Sequence, residues 1–153
     1  MPKVDLDAVP AKGTTGYPPP FDREMDGRWQ QRIGDAAGLT HLGANFVTLK
    51  PGAWSSQRHW HHGEDELVVM LSGEAVLVED QDRTALHPGD ICAWPMGSTN
   101  GHHLINESGV DCSFVAISAG PDLGGEYSDI DMTFTDEGYY HKDGSRYPAE
   151  RMK

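Results

Sequence analysis

The chain has 153 residues, with 12 basic and 24 acidic side chains and a formal net charge of −12. That charge repels phosphate backbones and anionic lipid heads, so nucleic acid and membrane surfaces are excluded as expected partners. The length suits one domain with one core, and no run approaches the ~18 apolar residues of a membrane helix.

In chain order, residues 1–27 contain KGTTGYPPPFD and little periodicity, and read as an extended arm with polyproline character at Pro18-Pro19-Pro20. The opening MPKVDLDAVP lacks the charged and apolar regions of a signal peptide, which makes the cytoplasm the expected location. Residues 28–119 alternate short apolar segments with turn signals such as Pro51-Gly52, Gly63, Gly73, Pro88-Gly89 and Pro95-Met96-Gly97. That rhythm, without a long helical period, predicts an all-β sandwich or barrel. Residues 120–153 form a polar, tyrosine-rich tail, with SDIDMTFTDEGYY as one edge strand, packed on the barrel or on a partner subunit.

The chemistry concentrates in two stretches, Gly52–Gly73 and Gly89–Asn106. In a strand, residues i and i+2 share a face, so His59 and His61 look inward while Arg58 and Trp60 look out. A hairpin through His62-Gly63-Glu64-Asp65 is expected to fold the next strand back and return Glu66 beside them, with Val68 and Met70 as apolar walls. His102 follows about forty residues later. Three imidazoles and one carboxylate suit a divalent transition metal such as Fe, Mn, Ni or Zn. A His-x-His pair alone is weak, since eight histidines in 153 residues give ~0.4 such pairs by chance.

The second block adds Gly89, Pro95, Gly97, His102 and Asn106 in order, and at this point the chain resembles the cupin superfamily. The first motif of that family has the form G-x5-H-x-H-x3-4-E-x6-G, and Gly52, His59, His61, Glu66 and Gly73 fit it with one extra residue before His59. The second has the form G-x5-P-x-G-x2-H-x3-N, and the chain fits it with two extra residues between Gly97 and His102. The insertion leaves His102 or His103 as the last ligand; His102 keeps the three-residue interval to Asn106. The resemblance implies a double-stranded β-helix, a jelly-roll barrel with an extended N-terminal arm. Family members often dimerise through such a segment, so it also implies a homodimer.

For function, the resemblance implies a metal-dependent enzyme acting on a small polar metabolite: an isomerase of sugars or sugar phosphates, a lyase or a dioxygenase. His41, in the strand-like segment LTHLGANFVTL, is the candidate base. Four ligands also suffice for a closed tetrahedral site, so a non-catalytic, metal-stabilised binding or regulatory barrel is the alternative. The His-rich, cysteine-free set favours an open site. Cys92 and Cys112 lie in apolar segments and read as buried free thiols. His62 and His87 read as loop histidines, and Asp129 and Asp131 as a solvated face. Trp54, Trp60 and Trp94 read as packing residues.

Overall fold

The computed structural model describes residues 2–148. Its strands are β1 (Ala11–Lys12), β2 (Arg28–Gln31), β3 (Gly43–Leu49), β4 (His59–His61), β5 (Asp65–Ser72), β6 (Ala75–Val78) and β7 (Arg83–Leu86). These are followed by β8 (Ile91–Trp94), β9 (His103–Ile105), β10 (Cys112–Ala119), β11 (Gly125–Tyr127), β12 (Thr133–Thr135) and β13 (Gly138–Tyr140). A single helical turn, α1 (Ile33–Ala36), and two short 3-10 turns complete the elements among the described residues. No helix among them is long and apolar enough to cross a membrane.

One layer is a six-stranded sheet in the order β1-β2-β3-β10-β5-β8. The other is made of a four-stranded sheet, β13-β12-β11-β4, and a three-stranded one, β7-β6-β9. The two pieces of the second layer meet at the His59–His102 bridge, where His102 N donates to His59 O at 3.0 Å. The result is the double-stranded β-helix that the two motifs imply.

The period-two alternation of the strands sorts residues between the layers and the outside. In β3 and β10 the inward positions are Val47, Leu49, Cys112 and Phe114, all buried. Together with Val68, Met70, Leu77, Leu86 and Leu104 they form the main apolar core. Each fully buried side chain of this kind stabilises the fold by about 1.5–3 kcal/mol. Gly73 turns β5 into β6 at φ +68°, and a Cβ there would collide with the Asp111 carbonyl, so only glycine serves. The motif asparagine has an equally local reason. Asn106 is fully buried, donates from Nδ2 to Leu49 O and Val110 O at 2.8 Å each, and accepts from the Ser108 amide at 2.9 Å.

Three sequence expectations are corrected. The hairpin through His62-Gly63-Glu64-Asp65 does not form: β4 pairs with β11, whereas β5 pairs with β10 and β8. His62 N donates to Gly124 O at 2.8 Å, so the β11 side has already taken that edge, and the turn becomes a corner between layers. Pro18–Pro20 is a turn with a cis Pro19-Pro20 bond, not a polyproline helix. The tail supplies three strands, not one edge strand. They read as polar because few of their side chains face inward; Tyr127 and Phe134 do so, and with Met132 of the intervening turn they pack with Tyr17 and Met25 of the arm in a second apolar cluster.

Candidate metal centre

The corner after β4 decides how the site is assembled. His59 and His61 project from the second layer, and Glu66 projects from β5 of the first, so the carboxylate faces the imidazoles across the interior. One ligand atom from each of the three lies within 4.8 Å of the others. His61 Nε2 is 2.6 Å from Glu66 Oε1, and His59 Nε2 is 3.2 Å from His61 Nε2. His102 contacts the second oxygen of the same carboxylate, Oε2, through its Nε2. The structure thus brings His59, His61 and Glu66 into one compact group, and His102 joins it through the Glu66 carboxylate.

The other nitrogen of each ring is held from behind. His59 Nδ1 lies 2.8 Å from Gln57 O, and His102 Nδ1 lies 3.0 Å from Asn100 O. His61 Nδ1 lies 3.0 Å from Glu64 Oε2. A carbonyl or carboxylate accepts only from an N–H, so these partners fix the proton on Nδ1 and leave Nε2 to face the cluster. Such outer hydrogen bonds orient metal-ligating histidines and raise their basicity.

The charges are tightly coupled. Burial, reinforced by the neighbouring His61, holds His59 near pKa 4, so it is neutral. Burial also works against charge on His61, but its hydrogen bonds to Glu64 and Glu66 outweigh it and raise the imidazole to about 9. Burial pushes the Glu66 carboxyl up; the bonds to His102 and His61 prevail and hold it well below the usual carboxylate range. A proton on His61 therefore neutralises the cluster when no metal is bound. Two Nε2 atoms and a carboxylate converging in this way form a donor set that a divalent cation fits.

His102 and His103 are neighbours with different surroundings. His102 is 7% exposed and stacks on Trp94 at 3.7 Å between ring centroids and 3° between planes. His103 places Nδ1 2.8 Å from Ser56 O and packs edge-on against Trp54. Trp94, read as a packing residue, thus packs against a predicted ligand. The inserted loop before His102 is held by Arg58, which is outward-facing as expected but only 11% exposed at its side chain. Arg58 grips Asp129 with two bonds of 2.8 and 2.9 Å, contacts Asp80, and donates to Gly101 O at 2.9 Å. A Cβ on Gly101 would crowd the Ser128 side chain, so the loop approaches that segment closely here.

A cavity of ≈ 370 Å³ opens beside the cluster, lined by His59, His61 and Glu66 and by side chains the motifs do not mark. Among these are Tyr17, Tyr127 and Phe134, with Arg28, Gln30 and Asn45 on the facing sheet. Tyr127 donates to the Tyr17 hydroxyl at 3.1 Å, and the Gln57 amide donates to the same oxygen at 3.2 Å. Burial raises both phenols, Tyr17 to about 12, so they serve as neutral hydroxyls. Period two puts Arg28 and Gln30 on one face of β2, but neither their pairing with β3 and Asn45 nor the arrival of Tyr17 from the arm is marked in the sequence.

The remaining candidates lie elsewhere. His41 is exposed on the bend before β3 and is not among the residues lining the cavity; β3 begins only at Gly43, so the strand does not carry it inward. His62 and His87 are on loops with exposed side chains. His141 stacks on Tyr147 and bonds Asp131 at 2.9 Å. Cys92 and Cys112 are free thiols, the first half-buried and the second buried.

The comparisons agree with this architecture. A family model described as a cupin domain matches residues 45–118. A sugar phosphate isomerase from a cupin superfamily, from Silicibacter pomeroyi, is 39% identical, with 96% of this chain and 97% of that one covered and a TM-score of 0.89. A candidate sugar phosphate isomerase from Acidithiobacillus ferrooxidans is 26% identical over 82% of this chain and 81% of its own, with a TM-score of 0.68. The polyketide cyclase RemF from Streptomyces resistomycificus shares the fold at 17% identity, covering 85% and 87%, with a TM-score of 0.68. No curated protein matches the sequence. The chain belongs to the cupin superfamily.

Proposed function

We propose that this chain is a metal-dependent enzyme that isomerises a small sugar or sugar phosphate, with His59, His61, Glu66 and His102 holding a divalent Fe, Mn, Ni or Zn ion. The observation that carries the reading is the set of three imidazoles with Nδ1 held from behind and Nε2 turned toward one carboxylate. A bound divalent metal supplies Lewis acidity, which polarises a carbonyl. The chain's own residues do the rest. Tyr17 and Tyr127 stay protonated and offer hydroxyls to substrate oxygens, while Gln30 and Asn45 add amides on the opposite wall. Phe134 packs edge-on against both His59 and His61 and limits water on that side. The cavity beside the cluster supports a site that admits a ligand over a closed structural one.

The 39% identity to a sugar phosphate isomerase favours isomerisation over lyase or dioxygenase chemistry. The test is aldose–ketose interconversion by the metal-loaded protein across pentoses, hexoses and their phosphates, beside His61→Ala. Turnover by the parent and its loss in the variant support the reading; binding without turnover across the panel would move it to the non-catalytic barrel.

A homodimer belongs to the same proposal. The outer face of the six-stranded sheet carries Phe46, Val115, Val69 and Ile91 in one cross-strand row, with Ile91 64% exposed. The arm pairs instead within its own chain, β1 on β2. Sedimentation should give about twice the 16.8 kDa chain mass, and Ile91→Asp should halve it; a monomeric parent would refute the dimer.

A further inference from the structure

Two arginines flank the site, and they are treated very differently. Arg58 is matched by Asp129 and Asp80. Arg28 has no carboxylate within 4.0 Å among the described residues, although the chain carries twice as many acidic as basic groups. Its guanidinium donates to two backbone carbonyls, Ser55 O from Nη1 and Thr14 O from Nη2, each at 3.2 Å. Its Nε is closed off from solvent and has no hydrogen-bond partner. A guanidinium has five N–H donors, so only two of them are used. A half-buried cation without a counter-ion costs stability unless an anion arrives to meet it.

Position tells where that anion would come from. Arg28 and Gln30 lie on the inner face of β2, in register with Leu49 and Val47 of β3. Arg28 lines the cavity that His59, His61 and Glu66 line. The stretch between β3 and β4 links the two ends: Ser55 O accepts from Arg28, while the next residue, Ser56, places Oγ 3.3 Å from His59 Nδ1. Arg28 also lines a second groove with Lys12, where Arg32 is paired with Asp35 and Lys12 and Arg28 have no carboxylate partner among the described residues.

We propose that Arg28 is a specificity-determining residue that receives the oxyanion, phosphate or carboxylate, of a small substrate whose reacting end lies at the histidine–glutamate cluster. This rests on the reading of the cavity as a substrate site. Arginine suits the role because its planar fork meets phosphate and carboxylate with paired hydrogen bonds, and it stays charged when half-buried.

The test follows the Arg28 Nε–Hε resonance by NMR in the full chain, assigned by its absence from Arg28→Lys. EDTA-treated and zinc-loaded protein are each titrated with inorganic phosphate, sodium acetate and, at matched ionic strength, sodium chloride. The expected result is a saturating shift with phosphate or acetate and none with chloride, in both metal states. Phosphate alone identifies a phosphate ester; acetate as well extends the site to carboxylates. Arg28→Gln, compared with the parent by calorimetric titration with phosphate because it lacks the resonance, should weaken phosphate binding by about tenfold or more, the loss of one charge-assisted bond, with zinc content unchanged. An unmoved resonance overturns the proposal, and so does a shift confined to the zinc-loaded protein, which would put the anion on the metal. Zinc content of the same samples reports on the metal centre separately, so the two readings fail by different signs.

Discussion

The space between the layers has two ends built on opposite principles. At one end Leu49, Met70, Ala75, Leu86 and Cys112 close into a dry core. At the other, β2, β4, β5 and β11 carry Arg28, His61, Glu66 and Tyr127 around an open cavity. Inward positions on β10 pass from Cys112 and Phe114 to Ala116 and Ser118, so bulk gives way to small side chains where the cavity begins. The fold is therefore held by one end and leaves the other free to hold strained charge and empty volume, as expected of a site grafted onto a stable frame.

That contrast can be broken by mutation. Leu49→Ala empties the closed end and should cost about 2–5 kcal/mol in urea unfolding, while metal bound per folded chain stays constant. Equal loss of metal would mean the two ends are not separable. Glu64→Gln acts at the open end alone. It keeps the shape but removes the charge behind His61 Nδ1, and metal affinity should fall about 10–100-fold with little change in unfolding. An unchanged affinity would mean that His61 is not oriented from behind.

The smallest effect concerns the Arg58–Asp129 clamp. Arg58 holds the Asp129 carboxyl below its ordinary range. Its contribution is therefore present above the unfolded-state value and is lost as pH falls through the folded one. The pair is solvent-screened on the aspartate side, so Asp129→Asn should cost about 0.5 kcal/mol at pH 7. The difference from the parent should vanish in the acid range; a difference that grows on acidification would contradict the clamp.

Much of the open end was legible from residue spacing read together with the cupin resemblance. His59, His61, Glu66 and His102 follow from strand alternation and motif intervals, because a metal site needs particular residue types at particular positions. Three things were not legible, each for a physical reason. Alternation gives the face of a strand but not its partner, so the corner at Gly63 was read as a hairpin. Tyr17 reaches the cavity from a segment without periodicity, through long-range contacts with Tyr127. Arg28 is conspicuous only by what it lacks, a counter-ion, and a sequence does not record pairing. His41 failed as a candidate base on one point: the strand starts two residues later than the apolar pattern suggests.

The central claim is that three histidines and one glutamate, chosen by direction as well as by type, bind one metal. Elemental mass spectrometry of natively purified protein, beside His102→Ala and His103→Ala, tests it most directly. Near-stoichiometric metal in the parent and in His103→Ala, with sharp loss in His102→Ala, is the predicted result. Metal absent from the parent, or lost equally from both variants, would contradict it.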